Sequence, residues 1–158
     1  MTRTVRHAPD LDRVRASTWP EVNERLDRQT EQRLQNQAGQ DREALDQRAS
    51  ELEREWDFER LLEAEASTMG LIGLILGVTV DRRFLIIPGV VASMVLLHAL
   101  HGWYPLLPLF RRIGVRSQDE IAREFYAVKA LRGDFGAVTE ADGDHARRAH
   151  EAWRAVCA

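Results

Sequence analysis

Charged residues divide the chain into three parts. Residues 66–80 and 84–110 contain no Asp, Glu, Lys or Arg, and only Asp81, Arg82 and Arg83 separate these two runs. Everything outside them is densely charged. The first run is 15 residues long and as a helix would reach about 22 Å, short of the roughly 30 Å of a bilayer's hydrocarbon core. Extension back through Leu61, Leu62, Glu63, Ala64 and Glu65 gives about 20 residues, with the two acids near the head groups. The second run is 27 residues long, and Pro105 and Pro108 end its helix near Gly102. About 18 residues remain, from Phe84 to His101, enough to span. The pattern therefore predicts a two-helix transmembrane hairpin. A soluble bundle whose two central helices are apolar all round is the alternative.

The flanks show helical periodicity. Thr18 and Glu21 have the spacing of a capping box, and Val22, Leu26 and Leu34 follow at helical intervals. Ala38-Gly39-Gln40 predicts a break. A second charged helix begins near Asp41, with Leu45, Leu52 and Trp56 on one side, and is expected to run directly into the first membrane helix. Beyond the hairpin, Ser117 and Glu120 repeat the capping-box spacing. Ile121, Phe125, Val128 and Leu131 form a stripe that Gly133 ends. Asp142-Gly143-Asp144 then precedes a last helix, with Ala146, Ala149, Trp153 and Val156 on one face. These stripes are expected to pack against each other or the head groups, since an interfacial helix would carry more basic residues on its polar face. Residues 1–16 lack periodicity and read as disordered. The predicted organisation is thus an all-α chain: a disordered start (1–17), a charged helical segment (18–63), a hairpin (64–116) and a C-terminal helical segment (117–158).

Composition narrows the function classes. The chain has 158 residues and a net charge of −3, so global charge excludes a strongly basic nucleic-acid binder. Lys129 is the single lysine among 22 basic residues. Cys157 is the single cysteine, which excludes an intrachain disulfide and a cysteine-based zinc site. The sequence has no nucleophile elbow, phosphate loop or di-iron Glu-x-x-His pattern. No enzyme activity, cofactor or metal is expected. The charged first 60 residues argue against a signal peptide.

Several residues carry candidate chemistry. His98 and His101 are three apart, on one helix face. Glu65 lies 16 positions before Asp81 and His98 lies 15 after Arg83, so an antiparallel hairpin sets them at about the same depth. A Glu65–His98 pair, with Glu63 near His101, would lower the cost of both groups in lipid. Gly70, Gly73 and Gly77 line part of the first helix, and Gly89, Ala92 and Ser93 part of the second, in the small-xxx-small pattern that allows close approach. That surface serves either intrachain packing or a homodimer. Trp103 and Tyr104 are expected at the interface belt.

Leu76–Val80, Arg83–Val91, Leu96–Leu100, the turn Gly102-Trp103-Tyr104-Pro105 and Leu109–Arg116 together resemble the YgaP-like transmembrane domain family. The likeness spans Thr68 to Arg116, and the flanks Glu53–Asp57 and Lys129–Phe135 look like those of its longer members. The resemblance implies a two-helix hairpin of the bacterial inner membrane, in a family mostly of unknown function. Some members carry a rhodanese sulfurtransferase domain, which the short flanks here leave no room for. The family turn usually has cysteine before the proline, where this chain has Tyr104, and that weakens any sulfur-handling role.

The expected function is a non-catalytic membrane anchor whose cytosolic helices bind an unidentified protein. The alternatives are a membrane accessory for small-molecule or sulfur-compound handling and a soluble helical interaction protein. Arg54, Arg60, Arg111, Arg112, Arg116 and Arg123 outnumber Arg82 and Arg83 of the connecting loop, so both termini are expected in the cytoplasm.

Overall fold

The computed structural model of the chain describes residues 12–140 and 145–157. Every regular element among the described residues is helical. The order is α1 (Arg13–Ala16), α2 (Pro20–Gln37), α3 (Arg42–Arg54), α4 (Phe58–Thr79), a 3-10 turn (Arg82–Leu85), α5 (Ile86–His101), α6 (Leu107–Arg112), α7 (Gln118–Arg132), α8 (Gly136–Glu140) and α9 (His145–Cys157). The chain divides into two compact units that interleave in sequence. One is Met1–Asp27 with Trp56–Asp119, and the other is Arg28–Glu55 with Glu120–Ala158. The consecutive segments expected from the charge pattern are therefore not the units that fold together.

The first unit holds the hairpin. Asp57 caps α4, its carboxylate accepting from the Arg60 amide at 2.7 Å. The Glu55–Asp57 interval has no helical structure, so α3 does not run directly into α4. A cap at Asp57 and extended Glu55 interrupt what the charge pattern read as one helix. The 22 residues of α4 reach about 33 Å. Asp81 then caps the 3-10 turn, accepting from the Arg83 amide at 2.8 Å, and α5 returns antiparallel to α4. Among the described residues two helical stretches, the one ending at Thr79 and Arg82–His101, are by length and composition long and apolar enough to cross a membrane.

A small core gathers at the open end of the hairpin. Val14, Phe58, Leu62, Tyr104 and Leu107 are buried together, with Met94, Val95 and Phe110 packed against them. The Phe58 amide donates to the Arg116 carbonyl at 2.8 Å, tying the entrance of the hairpin to the segment that leaves it. Arg111 is fully buried; it donates to the Val115 carbonyl at 3.1 Å and to Asn23 Oδ1 at 2.8 Å. Asp12–Ala16 belongs to this core, contrary to the disordered start read from the sequence. Asp12 caps α1 through the Arg15 amide at 3.0 Å, and the Ser117 hydroxyl donates to its other oxygen. The missing periodicity reflects a helix of only four residues. Residues 1–11 lie outside the described residues. Thr18 is not adjacent to α2, which begins at Pro20; its hydroxyl donates back to the Val14 carbonyl at 2.6 Å.

The second unit packs Leu45, Ala49 and Leu52 of α3 against Ile121 and Val128 of α7, with Leu34 and Phe125 alongside. Trp56, read as part of the α3 stripe, is exposed beyond its end. Glu124 is fully buried and accepts from Arg33 at 3.0 Å and from Arg48 at 2.8 Å. Two arginines about one carboxylate give the compensation that a buried charge requires. Arg132 donates to Asp46 at 2.7 Å and also to Asp134. The Arg132 guanidinium beside Asp134 holds its carboxyl below the usual carboxylate range, against the opposing effect of burial. Gly133 ends α7 in the left-handed region, at φ 87°. Residues 142–144, expected to precede the last helix, lie outside the described residues.

Candidate functional site

The geometry of the hairpin is set by two glycines. A Cβ at Gly73 would lie 2.7 Å from Ile87 Cβ and from Pro88 Cδ, and one at Gly77 would lie 2.5 Å from Leu85 Cδ2. Both glycines are buried. Gly70 and Gly89 have nothing within 4 Å of a built Cβ. The four glycines do not form one face. Gly73 is filled by Ile87 and Pro88 of α5 and Gly77 by Leu85 of the 3-10 turn, so those two positions are taken up by intrachain packing, one of the two uses expected of the surface. The facing residues are Leu85, Ile87 and Pro88, one turn earlier than Gly89, Ala92 and Ser93. Gly70 lines a groove of about 560 Å³ between α4 and α5, with Ala66, Ser67, Pro88, Val91 and Val95 among its walls.

Polar side chains of the hairpin meet where α5 ends. Glu65 on α4 and His98 on α5 do come to the same end, but they do not bond to each other. The Tyr104 hydroxyl donates to Glu65 Oε2 at 2.5 Å. His98 Nδ1 lies 3.1 Å from the Gly102 carbonyl. A carbonyl only accepts, so Nδ1 carries a proton in this arrangement. The His98 ring sits between two others, 5.4 Å from Phe58 and 6.4 Å from Tyr104, the latter edge-on at 82°. Counting along the helices does not fix rotation about the helix axis. Tyr104 contacts both groups, Glu65 through its hydroxyl and His98 through a near-perpendicular ring contact.

Tyr104 is 3% exposed, so it belongs to the core and not to an interface belt. Its hydroxyl is pushed up to about 12, first by burial and then by the Glu65 carboxylate that it serves. Trp103 is exposed and Pro105 half-buried. Gly102 takes φ 76°, and a Cβ there would lie 2.6 Å from the Arg13 carbonyl oxygen. Only glycine suits both the conformation and the approach.

The carbonyls at the end of α5 are satisfied by α1 and its neighbours. The Gly102 amide donates to the His98 carbonyl at 2.7 Å. The Arg13 guanidinium donates to the Ala99 carbonyl, and the Ser17 hydroxyl to that of His101 at 3.3 Å. Arg13 also brings positive charge to the negative end of the helix dipole. His101 itself is exposed and enters this arrangement only through its backbone. The site therefore combines Glu65, His98 and the turn 102–105, which the sequence singled out, with Arg13 and Ser17, which it did not. Arg13 and Ser17 precede the α5 carbonyls they meet by 86 and 84 positions, and no spacing rule connects them.

Chemically, this is a carboxylate held by a phenol, beside an oriented imidazole, at the mouth of an apolar hairpin. It can hold a proton on Tyr104 and fix the exit of α5. Among the described residues no group of three or more His, Cys, Asp or Glu side chains is placed to hold a metal ion. Comparison with protein-family models, curated proteins and solved structures finds no match to this chain.

Proposed function

We propose that the chain is an integral membrane protein whose α4–α5 hairpin spans the bilayer, with the remaining helices acting as a non-catalytic platform for protein contacts. The observation that carries this reading is where the apolar surface lies. In the apolar stretches of the two long helices, only 22% and 6% of residues are buried inside the protein. A core helix of a soluble bundle buries most of its length. Here Leu71, Ile75 and Val78 of α4, with Ile86, Leu96 and Leu100 of α5, are all exposed, and water would disfavour so large an apolar surface.

The YgaP-like resemblance supports the same reading and adds the bacterial inner membrane as its location. The excess of arginines flanking the hairpin over the two in its loop supports cytoplasmic termini. A role in sulfur-compound handling has less behind it, because Tyr104, which stands where the family turn has cysteine, is committed to Glu65. Carbonate washing of native membranes tests the proposal. The protein should stay in the pellet, and quantitative release into the supernatant would refute it.

A further inference from the structure

Three acids lie on α4, and two of them have partners. Glu59 accepts from the Gln118 amide at 3.3 Å, and Glu65 accepts from the Tyr104 hydroxyl at 2.5 Å. Glu63 is exposed and has no hydrogen-bond or ion-pair partner among the described residues. Arg13, at the same end of the hairpin, donates to the Ala99 carbonyl instead. A hydroxyl one turn further along α4 is also idle. Thr68, Thr79 and Ser93 each donate to the carbonyl four residues back, at 2.7, 2.7 and 2.8 Å. Ser67 does not, and it too has no partner among the described residues.

Both side chains belong to the groove of about 560 Å³ between α4 and α5, and among the described residues Glu63 is the single charge on its walls. Glu63, Ser67 and Gly70 follow at i, i+4 and i+7, so they form one line along α4. The line is graded in polarity. A carboxylate stands toward the open end of the hairpin, a hydroxyl lies one turn deeper, and beyond it the walls are apolar, with Gly70 opposite Pro88 and Val91. From Glu63 to Gly70 the line covers about 10 Å, some two-thirds of one leaflet of a hydrocarbon core roughly 30 Å thick. An unmet carboxylate and an idle hydroxyl are costly where lipid replaces water. The helices of a second hairpin offer Glu63 neither lysine nor arginine, since residues 61–81 and 84–110 contain none. A lipid with a primary ammonium head group meets all three parts in order. Its ammonium donates to the carboxylate, its ester carbonyl accepts from the hydroxyl at greater depth, and an acyl chain fills the apolar groove.

We propose that this groove seats one phosphatidylethanolamine molecule of the leaflet at the hairpin's open end, with its ammonium on Glu63, an ester carbonyl on Ser67 and one acyl chain along Gly70, Val91 and Val95. This rests on the membrane reading above, because only a hairpin in a bilayer meets lipid at that depth. The bound lipid compensates the one acid of α4 that the protein itself leaves unmet.

The test uses the full chain in mild detergent with equal amounts of phosphatidylethanolamine and phosphatidylglycerol carrying the same acyl chains, and native mass spectrometry reads the lipid that stays bound. Phosphatidylethanolamine should be retained over phosphatidylglycerol by roughly fivefold or more. Glu63→Gln should bring that ratio close to one, and because Glu63 is exposed and unbonded the variant should melt as the parent does. Gly70→Leu should also abolish the excess, with Glu63 intact, since a Cβ at Gly70 meets nothing and the added side chain enters the groove. Equal retention of the two lipids by the parent overturns the inference. So does an excess that survives either substitution, and so does a dimer that retains no lipid, which would mean that a second copy fills the groove. The carbonate wash keeps the two claims apart. A chain released by carbonate refutes the membrane anchor itself, whereas one that stays in the pellet and binds both lipids equally refutes only the lipid seat.

Discussion

Tyr104 donates to Glu65 across the junction where α5 gives way to its turn, at 2.5 Å. The bond joins α4 to the turn after α5 through a buried side chain that also packs on His98. Tyr104→Phe keeps the ring and removes the donor, so Glu65 loses a charge-assisted bond. The expected cost is about 1–3 kcal/mol in detergent unfolding. Tyr104→Phe and Glu65→Gln should be strongly non-additive, while Glu65→Gln and His98→Leu should come close to adding. A large coupling in the second pair and none in the first would contradict the arrangement. The pH dependence has a definite sign. Burial and the Glu65 carboxylate raise the hydroxyl from 10.0 to about 12. Its contribution is complete below the unfolded value near 10 and is lost as pH rises through the folded one.

The glycines should respond unequally. Gly73→Ala meets the branched Ile87 Cβ and the Pro88 ring, neither of which can turn aside. The cost expected for such overpacking is about 1–3 kcal/mol. Gly77→Ala meets Leu85 Cδ2 and Cγ, which can rotate away, and the Leu85 backbone nitrogen at 3.2 Å, which must give by a few tenths of an ångström, so a loss is expected here too, smaller than at Gly73. Gly70→Ala meets nothing and should stabilise α4 by up to about 1 kcal/mol through helix propensity. Thermal unfolding of the three single variants in one detergent gives the order directly.

The second unit has an acid-sensitive latch. Arg132 lowers the carboxyl of Asp134 from 3.8 and burial opposes it. The stabilisation is present above the unfolded value and is lost as pH falls through the folded one. Asp134→Asn should therefore cost about 1–3 kcal/mol at neutral pH, since Arg132 keeps Asp46. Below the folded value the variant and the parent should converge. Melting curves at several pH values between neutrality and strong acid measure both effects.

Long-range hydrophobic patterning and helix breaks were legible in the sequence. The uncharged runs became most of α4 and α5. Gly39, Gly102 and Gly133 each lie just beyond a helix end, because glycine and proline act locally on backbone geometry. The partners of Glu65 and His98 were not legible. Counting runs along the helices, but which side chains meet follows from rotation and packing. Arg13 and Ser17 were invisible for the same reason, since a four-residue helix has no period to read. The stripe of α9 was visible, but its outward direction, with Trp153 69% exposed, was not, because periodicity names a face and not what covers it.

The central claim is that the exposed apolar surface of α4 and α5 faces lipid. Single cysteines at Ile75, Val78, Leu96 and Arg83, in a chain with Cys157→Ser, allow a direct measurement with a membrane-impermeant thiol reagent on sealed vesicles and after solubilisation. Cysteine at 75, 78 or 96 should resist labelling in both intact and opened vesicles and react only once detergent replaces lipid. Cysteine at position 83 should react in the aqueous phase from one side of the membrane alone. Ready labelling at 75, 78 and 96 in opened vesicles without detergent would contradict the account, because those positions would then face water.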